Sequence, residues 1–299
     1  MISVIIPVRN GGEDLRRCLD SVAAQEVAEP VEVVVVDSDS SDGSPELVRS
    51  RGGHVLDVGA SQFLHGASRN LAVGEAKGDV LVFTSQDAYA ADEQWLARIS
   101  EPLRTEEAPA GVYGRQIPHE GASPPERFFL DFLYGPDPRV QRASSQEQLS
   151  LHTTLFSNVN SAIRRDIWEQ FPFAEDIFFA EDQDWARRVL LAGHAIRYEP
   201  KAAVRHSHRY TLTAAFKRFF DSGASAERGY LAGGRPAVEI DRQVRALQPW
   251  PGAWTTIDDR RLHVRRARPV AGVDDVPIGA LMPGPQPCVA CGAGALELE

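Results

Sequence analysis

In "DVLVFTSQDAYA", residues 79–90, an apolar run ends at Ser85, Gln86 and Asp87, a carboxylate with no opposite charge beside it in the chain. "VEVVVVD" ends the same way at Asp37. Asp commonly caps turns, so loop geometry explains either one alone. Two at equivalent strand ends point toward a site, because parallel sheets bind ligands beyond the carboxyl ends of their strands. In "VRHSHRY", His206 and His208 stand two apart, on one face if the segment is extended, and either imidazole could ligate a metal together with Asp87. For each histidine alone, a surface or core position is the commoner fate.

A second kind of chemistry is offered by "FFAEDQDWARRVLLAG". Glu181, Asp182 and Asp184 fall in the first turn of a predicted helix, Arg187 and Arg188 come later, and Gly193 closes it. That order suits the helix dipole and accounts for the acids as a group. It does not account for Phe178, Phe179 and Ala180, which bring carboxylates against an apolar wall where a raised pKa suits a general base. Asp182 is the candidate, held at a cleft by Trp185 and Val189, which anchor the helix four residues apart. "FLHGASRNLAV" places Gly66 and Arg69 at a helix start, where backbone N–H groups and a guanidinium could meet a diphosphate. A single Arg on a solvated helix face is the commoner arrangement. The Gly-rich phosphate loops GxGxxG and GxxxxGK[ST] are absent.

The elements that must position these residues follow from hydrophobic periodicity. "ISVIIPV" reads as a buried strand ending before Asn10-Gly11-Gly12; Leu15, Leu19 and Val22 recur at helical spacing; "VEVVVVD" is a second buried strand. A helix around Ala67 to Ala76, the strand "DVLVF" and a helix near Asp92 to Leu103 continue the alternation. The pattern predicts an α/β fold with a largely parallel sheet covered by helices. Alternation fades from about Gly121, and Gly, Ala and Pro become frequent after about Gly223.

With 43% hydrophobic and 25% charged residues among 299, the chain can bury a full core. A net charge of −10 and scattered basic residues argue against nucleic acid as a partner. Cys18, Cys288 and Cys291 are too few for a disulfide framework, and no signal segment opens the chain, so a reducing, cytoplasmic setting is expected. No apolar run approaches the roughly 20 residues of a membrane helix. Any membrane association is therefore expected to be peripheral, at the inner face.

Residues 1 to about 223 resemble the inverting glycosyltransferases of family 2, in particular the bacterial rhamnosyltransferases that use dTDP-rhamnose. The matching motifs are "SVIIPVRNGGEDLRRCLDSVAAQ", "VVVVDSDSSDGS", "FLHGASRNLAVGEAKGDVLVFTSQDA", "FSNVNSAIRRDIWE", "FAEDQDWARRVLLAGHAIRYEP" and "VRHSH". The resemblance implies a GT-A type nucleotide-binding sheet and sugar transfer to a glycan or lipid-linked acceptor in cell-surface polysaccharide synthesis. By that likeness Asp37 is the nucleobase-binding carboxylate, Arg69 a nucleotide contact, Asp87 the metal-ligating end of the DxD motif and Asp182 the catalytic base. Pro7, Asp39 and Gln86 complete the donor-binding set. Glu181, Trp185, Asn158 and Asn160 stand on the acceptor side or in support. Mg²⁺ or Mn²⁺ is implied, with His206 similar in position to the metal-binding His of some members. The sequence departs from the family at Ser85, where many relatives carry the first Asp of DxD, leaving one carboxylate for the cation.

The C-terminal part resembles a different family. "VEIDRQVRALQPWPGAWTTIDDRRLHVRRARPV" and "CVACGAGALELE" are similar to the OB-like β domain that ends methionyl-tRNA formyltransferase and related sugar formyltransferases. The expected organisation is a transferase domain over 1–223, a linker over 224–235 and a partial β module over 236–299. The formyltransferase catalytic domain is missing, so formyl transfer is not expected. Cys288 and Cys291 form a lone CxxC without the second pair of a zinc site. The alternatives are a fusion whose module is a docking surface, a truncated product, or a nucleotide-sugar-binding protein without activity.

Overall fold

The computed structural model describes residues 1–61, 63–177, 180–208, 237–246, 253–257, 260–272, 276–277, 279–282, 286–291 and 294–298. The chain divides into two compact units, Met1–Tyr230 and Leu231–Glu299. The expected linker, 224–235, lies outside the described residues.

The first unit begins with β1 (Ile2–Val8), α1 (Gly12–Ala23), β2 (Val31–Asp37), α2 (Ser44–Ser50), β3 (His54–Asp57), α3 (His65–Glu75) and β4 (Val80–Thr84). It continues through β5 (Tyr89–Ala90), α4 (Trp95–Ser100), β6 (Gly111–Ile117), α5 (Pro124–Leu133) and β7 (Arg139–Gln141). It closes with β8 (Asn160–Arg164), α6 (Arg165–Gln170), α7 (Glu181–Leu191) and β9 (Ile196–Arg205). One sheet runs β3-β2-β1-β4-β8-β6-β9-β5, with β7 also on β9. β3, β2, β1 and β4 are mutually parallel, as are β6 and β9. β8 runs antiparallel between β4 and β6.

The continuous apolar runs seen in the sequence reflect a sheet covered on both faces. Ile5, Val34, Val36, Leu81 and Phe83 face a core shared with Val73 of α3 and Trp185 and Val189 of α7. Their neighbours Ile2, Val4, Ile6, Val35, Val80 and Val82 face the other core, with Leu15 and Leu19 of α1 and Trp95 of α4. This is the two-residue alternation of a pleated strand.

Some boundaries differ from the sequence reading. The helix expected near Ala67–Ala76 starts at His65, and the strand expected over 79–83 is Val80–Thr84. The helix expected over 92–103 is shorter: α4 ends at Ser100, and a 3₁₀ turn, Glu101–Arg104, follows. Pro102 lacks the N–H that an α-helix would need there.

In the second unit, α8 (Ala237–Ala246) precedes a hairpin of β10 (Ala253–Ile257) and β11 (Arg260–Val264). Next come β12 (Ala267–Val270), β13 (Leu281–Met282), β14 (Cys288–Ala290) and β15 (Ala295–Leu298), an antiparallel sheet in the order β12-β15-β14-β13. Ala237, Val244, Val264, Leu296 and Leu298 form its small core. Residues 249–252 of the "PWPGAW" stretch lie outside the described residues.

Candidate active site

The chain moves outward from β1 to β2 and β3, then places β4 on the other side of β1. Such a reversal opens a crevice at the carboxyl ends of the strands. Here it is a cleft of about 310 Å³ lined by Pro7, Ser38, His65, Arg69, Ser85 and Gln86, among others. The β1–β4 pairing stops at Ile5 and Phe83. Beyond it, the Gln86 carboxamide takes the place of a strand: Oε1 accepts the Arg9 N–H at 2.8 Å and Nε2 donates to the Arg9 carbonyl at 3.2 Å. The loops after β1 and β2 are laced together, with Asn10 N–H donating to Ser40 Oγ and Gly12 N–H to Asp42 Oδ2.

Asp37 ends β2 and is 3% exposed. Its Oδ2 accepts the Ser40 N–H at 2.9 Å, while its buried Oδ1 has no partner in the protein. A buried acceptor left open is costly unless something donates to it. Asp39, at φ +54°, accepts the Ala60 N–H and ties the loop after β2 to the loop after β3.

Asp87 is not partnerless in three dimensions. Ser85 Oγ donates to its Oδ1 at 2.7 Å, and Oδ2 lies 3.6 Å from His206 Nε2 and 3.5 Å from His208 Nδ1. Burial alone would raise the Asp87 carboxyl, but His206, Ser85 and His208 outweigh it and hold the group well below the usual carboxylate range. Among the described residues, Asp87, His206 and His208 form the group able to share one ion. One carboxylate and two imidazoles suit a transition-metal ion such as Mn²⁺ better than Mg²⁺, which prefers oxygen. Ser85 orients Asp87 through its hydrogen bond to Oδ1. His208, which the sequence offered only as an alternative to His206, joins it.

Across the cleft, Ala180 at φ +66° turns the chain into α7. Glu181 Oε1 accepts from Arg69 NH1 at 2.6 Å and from Asn158 Nδ2 at 3.1 Å. The carboxylate of Asp182 then accepts the Asn158 N–H at 3.2 Å and the Gln183 N–H at 2.8 Å. Asp182 is half-buried by area, and protein packs closely round its carboxylate. Burial pushes that carboxyl up to about 7, and the Glu181 charge pushes the same way, against the Asn158 N–H, Arg69 and the Gln183 N–H. A carboxyl poised near neutrality suits a general base.

Trp185 is fully buried against Phe156, with ring centroids 4.7 Å apart, and seats α7. Asn160 is a structural tie: it accepts from Trp95 Nε1 at 2.8 Å and donates to the Arg115 and Ala202 carbonyls. Those carbonyls flank the register break between β6 and β9, where only a glycine fits, since a Cβ on Gly114 would lie 1.9 Å from the Ala202 oxygen. Gly66 likewise meets a packing need, because a Cβ there would fall 2.0 Å from the Ala174 oxygen. Phe178 and Phe179, the expected apolar wall, lie outside the described residues.

The sheet and its cleft define a GT-A type glycosyltransferase fold. The mannosyltransferase PcManGT of Pyrobaculum calidifontis, solved with GDP-Man and Mn²⁺, superposes with a TM-score of 0.54 at 21% identity, covering 72% of this chain and 59% of that one. The profile of glycosyl transferase family 2 matches residues 3–171, and the chain belongs to that family. It is 34% identical over 229 residues to the O-antigen chain rhamnosyltransferase RfbN of Salmonella typhimurium, covering 74% of this chain and 71% of the relative. Residues 227–299 match the formyl transferase C-terminal domain. There the chain is 47% identical over 75 residues to the methionyl-tRNA formyltransferase of Cereibacter sphaeroides, covering 25% of this chain and only 23% of the relative. Among the described residues, no helix is long and apolar enough to cross a membrane.

Proposed function

We propose that the protein is an inverting rhamnosyltransferase that moves rhamnose from dTDP-rhamnose to a glycan or lipid-linked acceptor. The observation that carries the transfer chemistry is the convergence of Asp87, His206 and His208 just past the end of β4, next to Ser85 and Gln86 of the cleft lining. The choice of sugar is supported by the likeness to O-antigen chain rhamnosyltransferases.

In this reading Asp37 Oδ1, the buried acceptor without a protein partner, takes the imide N–H of the thymine ring. Pro7, Asp39 and Gln86 shape the donor cleft, and Arg69, held by its ion pair with Glu181, lines the wall as a nucleotide contact. Asp87, His206 and His208 would hold the cation, which neutralises charge on the departing diphosphate when bound. Asp182 takes the proton from the acceptor hydroxyl as that oxygen attacks the anomeric carbon from the face opposite the leaving group. Asn158 and Glu181 keep Asp182 in place. The protein works at the inner face of the membrane, and Phe128 and Phe132 of α5, which are 75% and 54% exposed and stack on each other, support contact with an apolar surface.

Calorimetry with dTDP-rhamnose, UDP-glucose and GDP-mannose, each with Mn²⁺ and with EDTA, tests the donor assignment. Mn²⁺-dependent preference for dTDP-rhamnose is expected. Equal binding of all three, or binding indifferent to EDTA, contradicts it.

A further inference from the structure

We propose that Gln116 is a positioning residue for the cation site, fixing which ring nitrogen of His206 faces Asp87. The proposal rests on the cation site described above. Gln116 lies near the end of β6 and is 5% exposed, so its amide must find partners inside the protein. Nε2 lies 2.9 Å from Tyr134 Oη and 3.0 Å from Ser157 Oγ and donates to both, which uses its two protons. Oε1 then faces His206 Nδ1 at 2.9 Å. A carbonyl oxygen can only accept, so Nδ1 carries the hydrogen and donates. Nε2, the nitrogen facing Asp87 at 3.6 Å, is left as the ligand atom.

The backbone reinforces this arrangement. His206 N–H donates to the Ile117 carbonyl at 3.0 Å, so adjacent residues of β6 grip both the main chain and the ring of His206 just past the end of β9. A proton on Nε2 would stand where a cation must bind. Partners of this kind, which orient the ligand rather than touch the ion, typically alter metal affinity 10- to 100-fold when lost.

The test is Mn²⁺ binding by the full chain, read as free Mn²⁺ by electron paramagnetic resonance without substrate. Gln116→Met should bind Mn²⁺ about 10- to 100-fold more weakly than wild type. Gln116→Glu keeps the shape and the acceptor and should bind at least as tightly as wild type. That rescue separates ring orientation from general packing, which either change would disturb. Wild-type affinity in Gln116→Met, or an equal loss in both variants, overturns the proposal. A wild-type protein that takes up no Mn²⁺ overturns the cation site itself and this proposal with it.

Discussion

Arg69 and Glu181, 112 residues apart in the chain, meet at 2.6 Å with both side chains 6% exposed. The pair joins the second turn of α3 to the first turn of α7, and so ties the donor cleft to the helix that carries Asp182. Removing one partner would leave the other charge buried alone, which costs roughly 3–5 kcal/mol. Arg69→Met is therefore expected to lower the unfolding midpoint of the first unit in urea. Arg69→Met with Glu181→Met should recover most of the loss. An unchanged midpoint in the single variant would show the pair to be energetically idle.

Glu181→Gln removes the second largest influence raising the Asp182 carboxyl. With burial still acting, Asp182 should titrate lower than in wild type but above an ordinary Asp. A base works only when ionised, so the acid limb of the kcat/KM profile is expected to move to lower pH. The profile over pH 5 to 9 checks this; a limb that stays put or moves up contradicts it.

The same carboxyl sets a stability trend. An Asp in the unfolded chain titrates near 3.9, while folding holds Asp182 at about 7. Between those values the folded state binds the proton that the unfolded state has lost, so this group's contribution falls as pH rises from about 4 to about 7. Asp182→Asn removes that decline. Its denaturation midpoint should exceed wild type at pH 8, with the gap narrowing towards pH 4. A gap that widens on acidification would reverse the assigned sign.

With two imidazoles and one carboxylate, the cluster should prefer Mn²⁺ to Mg²⁺. Donor binding in EDTA should recover more fully with Mn²⁺ at equal concentration, and His208→Ala should weaken Mn²⁺ uptake by about tenfold or more. Full recovery by Mg²⁺ in the His208→Ala variant would remove His208 from the site.

Much of this arrangement was legible because it is local. Runs of β-branched residues located the strands, and Asp37 and Asp87 follow directly from where those runs stop. The acids of α7 were visible for the same reason. What could not be read is tertiary. Nothing in the spacing of Glu181 and Asp182 says which faces the Arg69 guanidinium and which accepts the Asn158 backbone N–H. Gln116 looks like one more polar residue on a strand. Ser85 looked like a lost ligand, whereas the fold makes it a donor to Asp87 and brings a second histidine beside it. Pro102 alone foretold the early end of α4, and the periodicity around it concealed the signal.

The most direct test of the account is Asp182→Asn assayed with dTDP-rhamnose, Mn²⁺ and a lipid-linked glycan acceptor, with donor affinity measured on the same preparation. The account predicts that the variant binds donor as wild type does while transfer falls about 10²- to 10⁴-fold, the contribution of a positioned base. Transfer at the wild-type rate by a variant that cannot accept the acceptor's proton would contradict it.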